Sequence, residues 1–130
     1  MIEKTVKWGI LGCGDVTEVK SGPAYQQVSG FELHAVMRRD LVKAEDYARR
    51  HQVPKFYGDA DALINDPAVD AVYIASPNSL HAPQAIQMLQ AKKHVICEKP
   101  LASNYVLAQQ MFNIAKQNNV VLFEAFMTPY

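Results

Sequence analysis

The chain has 130 residues, 49% of them hydrophobic and 20% charged, with thirteen basic against thirteen acidic residues and a pI near 6.9. That length and apolar share suit one folded domain rather than a disordered tail, and the cancelled charge argues against a general nucleic-acid binder or an anionic-membrane binder. No run reaches the roughly 18 apolar residues of a membrane span, no signal peptide is expected at the start, and Cys13 and Cys97 make neither a metal pair nor a disulfide framework; the expected setting is cytoplasmic.

In chain order, Val6 to Leu11 is a first strand, followed by a glycine-rich turn and a helix from about Val16 to Val28. Phe31 to Met37 is a second strand. The helix after it, from about Asp40 to His51, carries Leu41, Ala44, Tyr47 and Ala48 at helical spacing. Lys55 to Tyr57 is a short third strand, and Asp59 starts a short helix that Asn65-Asp66-Pro67 stops. Val69 to Ala75 is a fourth, buried strand. Asn78 or Ser79 can cap a helix to about Gln90, His94 to Cys97 is a fifth strand, and Ser103 can cap a helix with Val106, Leu107, Met111, Ile114 and Ala115 on one stripe. Val120 to Phe126 is the sixth strand.

Parallel neighbours need crossover helices, so this alternation predicts an α/β fold covered on both faces. Six strands in two halves fit a Rossmann-type doubly wound parallel sheet of order 3-2-1-4-5-6, with ligands at the carboxyl ends of the strands. The loops after the first, second, fourth and fifth strands are therefore the informative ones.

In the first of these, Gly12-Cys13-Gly14-Asp15-Val16 matches the opening of the dinucleotide fingerprint, G-x-G-x-x-G/A. Two glycines allow a tight turn and let a pyrophosphate approach backbone N–H groups at a helix start. Thr17 replaces the third small residue. In the second loop, Arg38 stands where an NAD-preferring site often has an acid, and Arg39 follows it. Guanidinium groups suit a 2′-phosphate, which favours NADP over NAD; two solvated arginines are the plainer alternative. Asp40 could serve the ribose or cap the next helix. His34, His51 and His94 are read as strand-borne, helix-terminal and strand-initial residues without a chemical role, and no spacing suggests a metal site.

Ser76-Pro77-Asn78-Ser79-Leu80-His81 follows the fourth strand, and Cys97-Glu98-Lys99-Pro100-Leu101-Ala102 follows the fifth. With Gly9 to Gly14 and Glu124-Ala125-Phe126-Met127, these segments resemble the Gfo/Idh/MocA oxidoreductases, the glucose–fructose oxidoreductase and inositol dehydrogenase relatives. The resemblance covers essentially the whole chain, and Glu-Lys-Pro is its most specific part. It implies that Ser76, Pro77, Asn78, His81 and Glu98 surround the nicotinamide side of a dinucleotide, with Asn78 and Glu98 on its ribose and backbone and His81 bracing the loop. It also implies that Lys99 is the active-site lysine, beside the nicotinamide and bonded to the reacting oxygen, with Lys99–Pro100 open to a cis bond. Glu98 and Lys99 as surface charges remain the alternative.

The same resemblance implies a nucleotide-binding domain over residues 1–123, with 124–130 beginning the connection to an absent substrate and dimerisation domain. Pro129, where many relatives have Arg, departs from the family pattern. The expected activity is hydride transfer between nicotinamide and a hydroxyl-bearing carbon of a sugar, polyol, inositol or related compound. The isolated domain is expected to bind NADP or NAD without turnover, and its apolar last strand to promote self-association. A non-catalytic NAD(P)-binding regulator or sensor, and a module for another mononucleotide, are the competing expectations.

Overall fold

The computed structural model describes residues 5–12, 30–76, 78–98, 102 and 104–125. The apolar runs form six strands: β1 (Val6–Leu11), β2 (Phe31–Met37), β3 (Lys55–Tyr57), β4 (Ala71–Ile74), β5 (His94–Glu98) and β6 (Leu122–Ala125). All pair in parallel, in the order β3-β2-β1-β4-β5-β6 that the alternation predicts. The described helices are α1 (Leu41–Arg50), α2 (Ala60–Ile64), α3 (His81–Gln90) and α4 (Tyr105–Gln117). The helix expected over 16–28 lies outside the described residues. No described helix is long and apolar enough to cross a membrane.

Alternation along each strand splits the core in two. Leu11, Ala35, Met37, Val72, Ile74, Val95, Cys97 and Leu122 face one side, under Leu63 of α2, Ala85, Met88 and Leu89 of α3, and Met111 and Ala115 of α4. Trp8, Ile10, Leu33, Val36, Ala71 and Tyr73 face the other, under Tyr47 and Ala48 of α1. Cys97 is a buried thiol pushed up to about 12 by burial, with Glu124 and Glu98 adding to the shift. It is packing material, not a nucleophile.

The helix ends differ from expectation in instructive ways. Asn104, not Ser103, caps α4, its Oδ1 accepting from Leu107 N at 2.8 Å. The stripe of α4 runs through Leu107, Met111, Ile114 and Ala115; Val106, one position and about 100° away, is 63% exposed. Leu41, at the first residue of α1, lies over Gly58 and stays half exposed. Residues Asn78–Leu80 form a 3₁₀ turn and Leu80 precedes α3 without a side-chain cap bond, so the expected cap at Asn78 or Ser79 falls one or two residues before the observed cap position. At their other ends, α1, α3 and α4 pass through left-handed residues Gln52, Lys92 and Asn119. Val53, Lys93 and Val120 then donate back to Ala48, Met88 and Ala115, satisfying carbonyls the helices leave open.

The β4 strand is shorter than expected because Val69 turns back, its N–H donating to Asp66 O at 3.2 Å. There a buried polar knot ties the amino-terminal ends of β4 and β5 together. Lys93 Nζ donates to Asp66 O at 2.9 Å and Val69 O at 2.8 Å, while the Asp66 carboxylate accepts from Tyr57 Oη at 2.8 Å and Ala68 N at 2.9 Å. His34 Nε2 lies 3.5 Å from Asp66 Oδ2. His34 is also an extra residue in β2: Trp8 pairs with Leu33 but Gly9 with Ala35, a bulge that lets Leu11 end opposite Met37.

Candidate functional site

The carboxyl ends of β1, β2 and β4 converge on one opening. Gly12 follows β1 with φ of +85° and donates its N–H to Met37 O at 2.9 Å. A Cβ on Gly12 would stand 2.8 Å from both Ser76 Cα and Ser76 N. The loops after β1 and β4 are therefore in backbone contact, and only glycine meets both the torsion and the spacing. Ala75 N, donating to Leu11 O at 2.9 Å, and Arg38 N, donating to Tyr57 O at 3.1 Å, hold the neighbouring strand ends.

Beside Gly12 is a cleft of about 450 Å³ whose lining includes Arg38, Arg39, Lys43, Ser76, Leu80 and Gln84. The volume falls in the range of small-molecule sites. Three cations, Arg38, Arg39 and Lys43, outnumber the one carboxylate of the lining, Asp40, whose Oδ1 accepts from Val42 N at 3.1 Å and Lys43 N at 3.2 Å, capping α1. The cap alternative for Asp40 is thus the observed one. Arg38, Arg39 and Lys43 make no ion pair among the described residues.

The loop after β4 is braced from behind. His81, buried at the start of α3, has Nε2 2.8 Å from Ser76 O. A carbonyl can only accept, so this nitrogen carries the proton. Ser76 Oγ donates to Gln84 Oε1, one turn further along α3. Glu98 closes β5, half-buried, with Oε1 accepting from Tyr73 Oη at 2.5 Å.

Of the sequence-derived candidates, the structure gathers Gly12, Arg38, Arg39 and Ser76 around the cleft, and His81 behind it. Glu98 stands two strands from Gly12, across β4 on β5. Asn78 supplies backbone to the 3₁₀ turn. Cys13, Gly14, Asp15, Val16, Pro77 and Lys99 lie outside the described residues. Sequence reading missed Lys43, Gln84 and Tyr73. Lys43 could have been found three residues after the Asp40 cap, on the first turn of a helix that starts at the cleft.

The family model for the Gfo/Idh/MocA oxidoreductases, described as having an NAD-binding Rossmann fold, matches residues 6–126. The chain belongs to this family. It is 36% identical over 125 residues to the NADP(+)-dependent scyllo-inositol 2-dehydrogenase of Bacillus subtilis, covering 96% of this chain and 38% of that protein. It is 42% identical over 119 residues to oxidoreductase P35 of Formosa agariphila, covering 92% and 37%. The 3-ketoreductase KijD10 of Actinomadura kijaniata, solved with TDP-benzene and NADP, superposes with a TM-score of 0.88 at 30% identity, over 93% of this chain and 38% of that one. The chain thus spans well under half the length of these Gfo/Idh/MocA relatives, matching their NAD-binding Rossmann fold.

Proposed function

We propose that this Gfo/Idh/MocA chain is the cofactor-binding part of a dehydrogenase that prefers NADP and acts on a hydroxyl-bearing carbon of a sugar, polyol, inositol or related compound. The observation that carries the reading is the cleft itself: a glycine with no space for a Cβ, set against Ser76, beside three cations that make no ion pair among the described residues. These residues fit a dinucleotide, since the close backbone approach suits a pyrophosphate and the cations suit a 2′-phosphate. The nicotinamide and inositol-type relatives support the redox class.

When bound, the nicotinamide ring supplies the hydride acceptor or donor. The protein's part is placement and charge. Gly12, Cys13, Gly14, Asp15 and Val16 take the pyrophosphate; Arg38 and Arg39, joined by Lys43, take the 2′-phosphate. Ser76, Pro77, Asn78 and His81 form the wall of the nicotinamide half, and Glu98 takes its ribose hydroxyls. Lys99 donates to the reacting oxygen and stabilises its charge. Substrate contacts come from a second domain beyond residue 123, so the isolated chain binds cofactor but does not turn over. The β6 edge, with Phe123 and Val121 exposed, supports self-association; a single monomer across all loading concentrations in sedimentation velocity would remove that part.

The primary test is titration of the folded chain with NADPH and NADH at matched salt. NADPH should bind about tenfold more tightly, a margin of about 1.4 kcal/mol that Arg38→Ala removes and Lys43→Ala reduces. Equal or tighter NADH binding overturns the reading of the second loop. Binding of neither overturns the cofactor reading. In the full-length protein, Lys99→Ala should abolish turnover while leaving cofactor affinity in place.

A further inference from the structure

We propose that Tyr73 is a positioning residue for the nicotinamide half of the site, acting through Glu98; this rests on the reading that Glu98 takes the nicotinamide-side ribose. Tyr73 lies mid-strand in β4, paired with Ile10 on one side and Ile96 on the other, and is 2% exposed. Glu98 is two residues beyond Ile96 and therefore on the same face of the sheet. The tyrosine reaches diagonally across one strand and up toward the carboxyl edge, a span that an aromatic side chain covers. Its ring is fixed by packing in the core with Trp8, Ile10 and Ala71. The hydroxyl thus occupies a set point, and it donates to Glu98 Oε1 at 2.5 Å, the short distance of a bond to a charged acceptor.

The consequence is directional. One carboxylate oxygen is held by the core, while Oε2 has no partner among the described residues and is available to ribose hydroxyls. Without the tyrosine hydroxyl, Glu98 keeps its charge but loses the anchor that selects one rotamer. A carboxylate free to swing must be ordered when ligand binds, at a cost in affinity. The effect should be confined to ligands that reach Glu98.

The test uses two probes on the 130-residue chain: NADPH, and adenosine 2′,5′-bisphosphate, which carries only the adenosine end. Tyr73→Phe removes one oxygen and keeps the ring. It should weaken NADPH by up to about tenfold, the cost of ordering one freed side chain on binding, and leave the bisphosphate within about twofold. In a Glu98→Ala background the same substitution should add nothing, since a residue acting through Glu98 has no further effect once Glu98 is gone. Glu98→Gln, which retains an accepting oxygen, should keep most of the Tyr73 dependence. Equal weakening of both probes, or an undiminished effect in the Glu98→Ala background, overturns the proposal and leaves the cofactor reading intact. If the unmodified chain binds the bisphosphate as tightly as NADPH, the nicotinamide half has no site here and the proposal falls with the Glu98 reading. Binding of neither probe removes the cofactor reading as well.

Discussion

Replacing Gly12 by alanine asks two things of the fold at once, and the molecule supplies its own control. Gly12 and Gly30 both sit at φ of +85°, but a Cβ at Gly12 meets Ser76 backbone atoms at 2.8 Å whereas one at Gly30 meets nothing within 4 Å. An L-residue held in the left-handed region costs about 1–2 kcal/mol, common to both positions. Forcing backbone apart at Gly12 adds about 1–3 kcal/mol, by analogy with overpacked cores. Gly12→Ala is thus expected to cost about 2–5 kcal/mol, a large share of the roughly 5–15 kcal/mol that holds a domain together. Any stiffening of the unfolded chain by alanine is shared and cancels in the comparison. Urea unfolding followed by circular dichroism measures this directly. With a slope of about 2 kcal/mol per molar, the Gly12→Ala midpoint should fall about 1–2.5 M, further than that of Gly30→Ala. Equal midpoints for the two variants would show that the loop after β4 yields freely, and the argument for an enforced backbone contact would fail.

Other outcomes follow from the polar knot and the helix ends. Lys93→Met leaves the Val69 carbonyl without its buried donor, while the Asp66 carbonyl keeps only the Val69 N–H; stability measured in urea should drop about 1–3 kcal/mol, the cost of one unsatisfied buried group, with cofactor affinity unchanged. Burial raises the Asp66 carboxyl, but the Tyr57 hydroxyl, Ala68 N–H, His34 and Lys93 outweigh it, and the net effect is a lowered value. With the folded value below an unfolded one of about 3.9, this stability is complete above about pH 4 and is lost as pH falls further. Melting temperatures between pH 5 and 2 should therefore fall less steeply in Asp66→Asn. Lys92, a left-handed residue ending α3, is expected to gain about 0.5–1 kcal/mol on substitution Lys92→Gly, read as a raised melting temperature.

The strands were legible because a parallel sheet covered on both faces writes itself as short apolar runs, such as Val72-Tyr73-Ile74 or His94-Val95-Ile96-Cys97. Helix bodies were legible from their stripes, and the loops at the correct strand ends from their glycines and charges. Caps were less so: Ser103 and Asn104 are adjacent and chemically similar, and only the packing of Leu107, Met111 and Ala115 sets the helix phase that selects Asn104. Pairings between distant residues were not legible at all. Nothing near Gly12 in sequence announces Ser76 as its wall, and nothing in the apolar run of β4 announces that Tyr73 will hold Glu98. Lys43 had a signal in its place on the first turn after the Asp40 cap, but within a helix a lysine reads as solvated surface until the cleft beside it is seen.

The bulge at His34 gives β2 a spare residue just before the strand end that meets the cleft. Between Leu33 and Met37 the strand carries one more residue than its partner, and the bulge absorbs that surplus, so Met37 ends level with Leu11 and Arg38 reaches the cleft. A chain lacking residue 34 could pair straight, with Leu33 still opposite Trp8 and Ala35, Val36 and Met37 still opposite Gly9, Ile10 and Leu11, each on its present face of the sheet. Arg38 would keep its place at the cleft. Such a deletion should retain the preference for NADPH over NADH in the same titration, so β2 carries one residue of slack that can be taken up before the loop feels the loss.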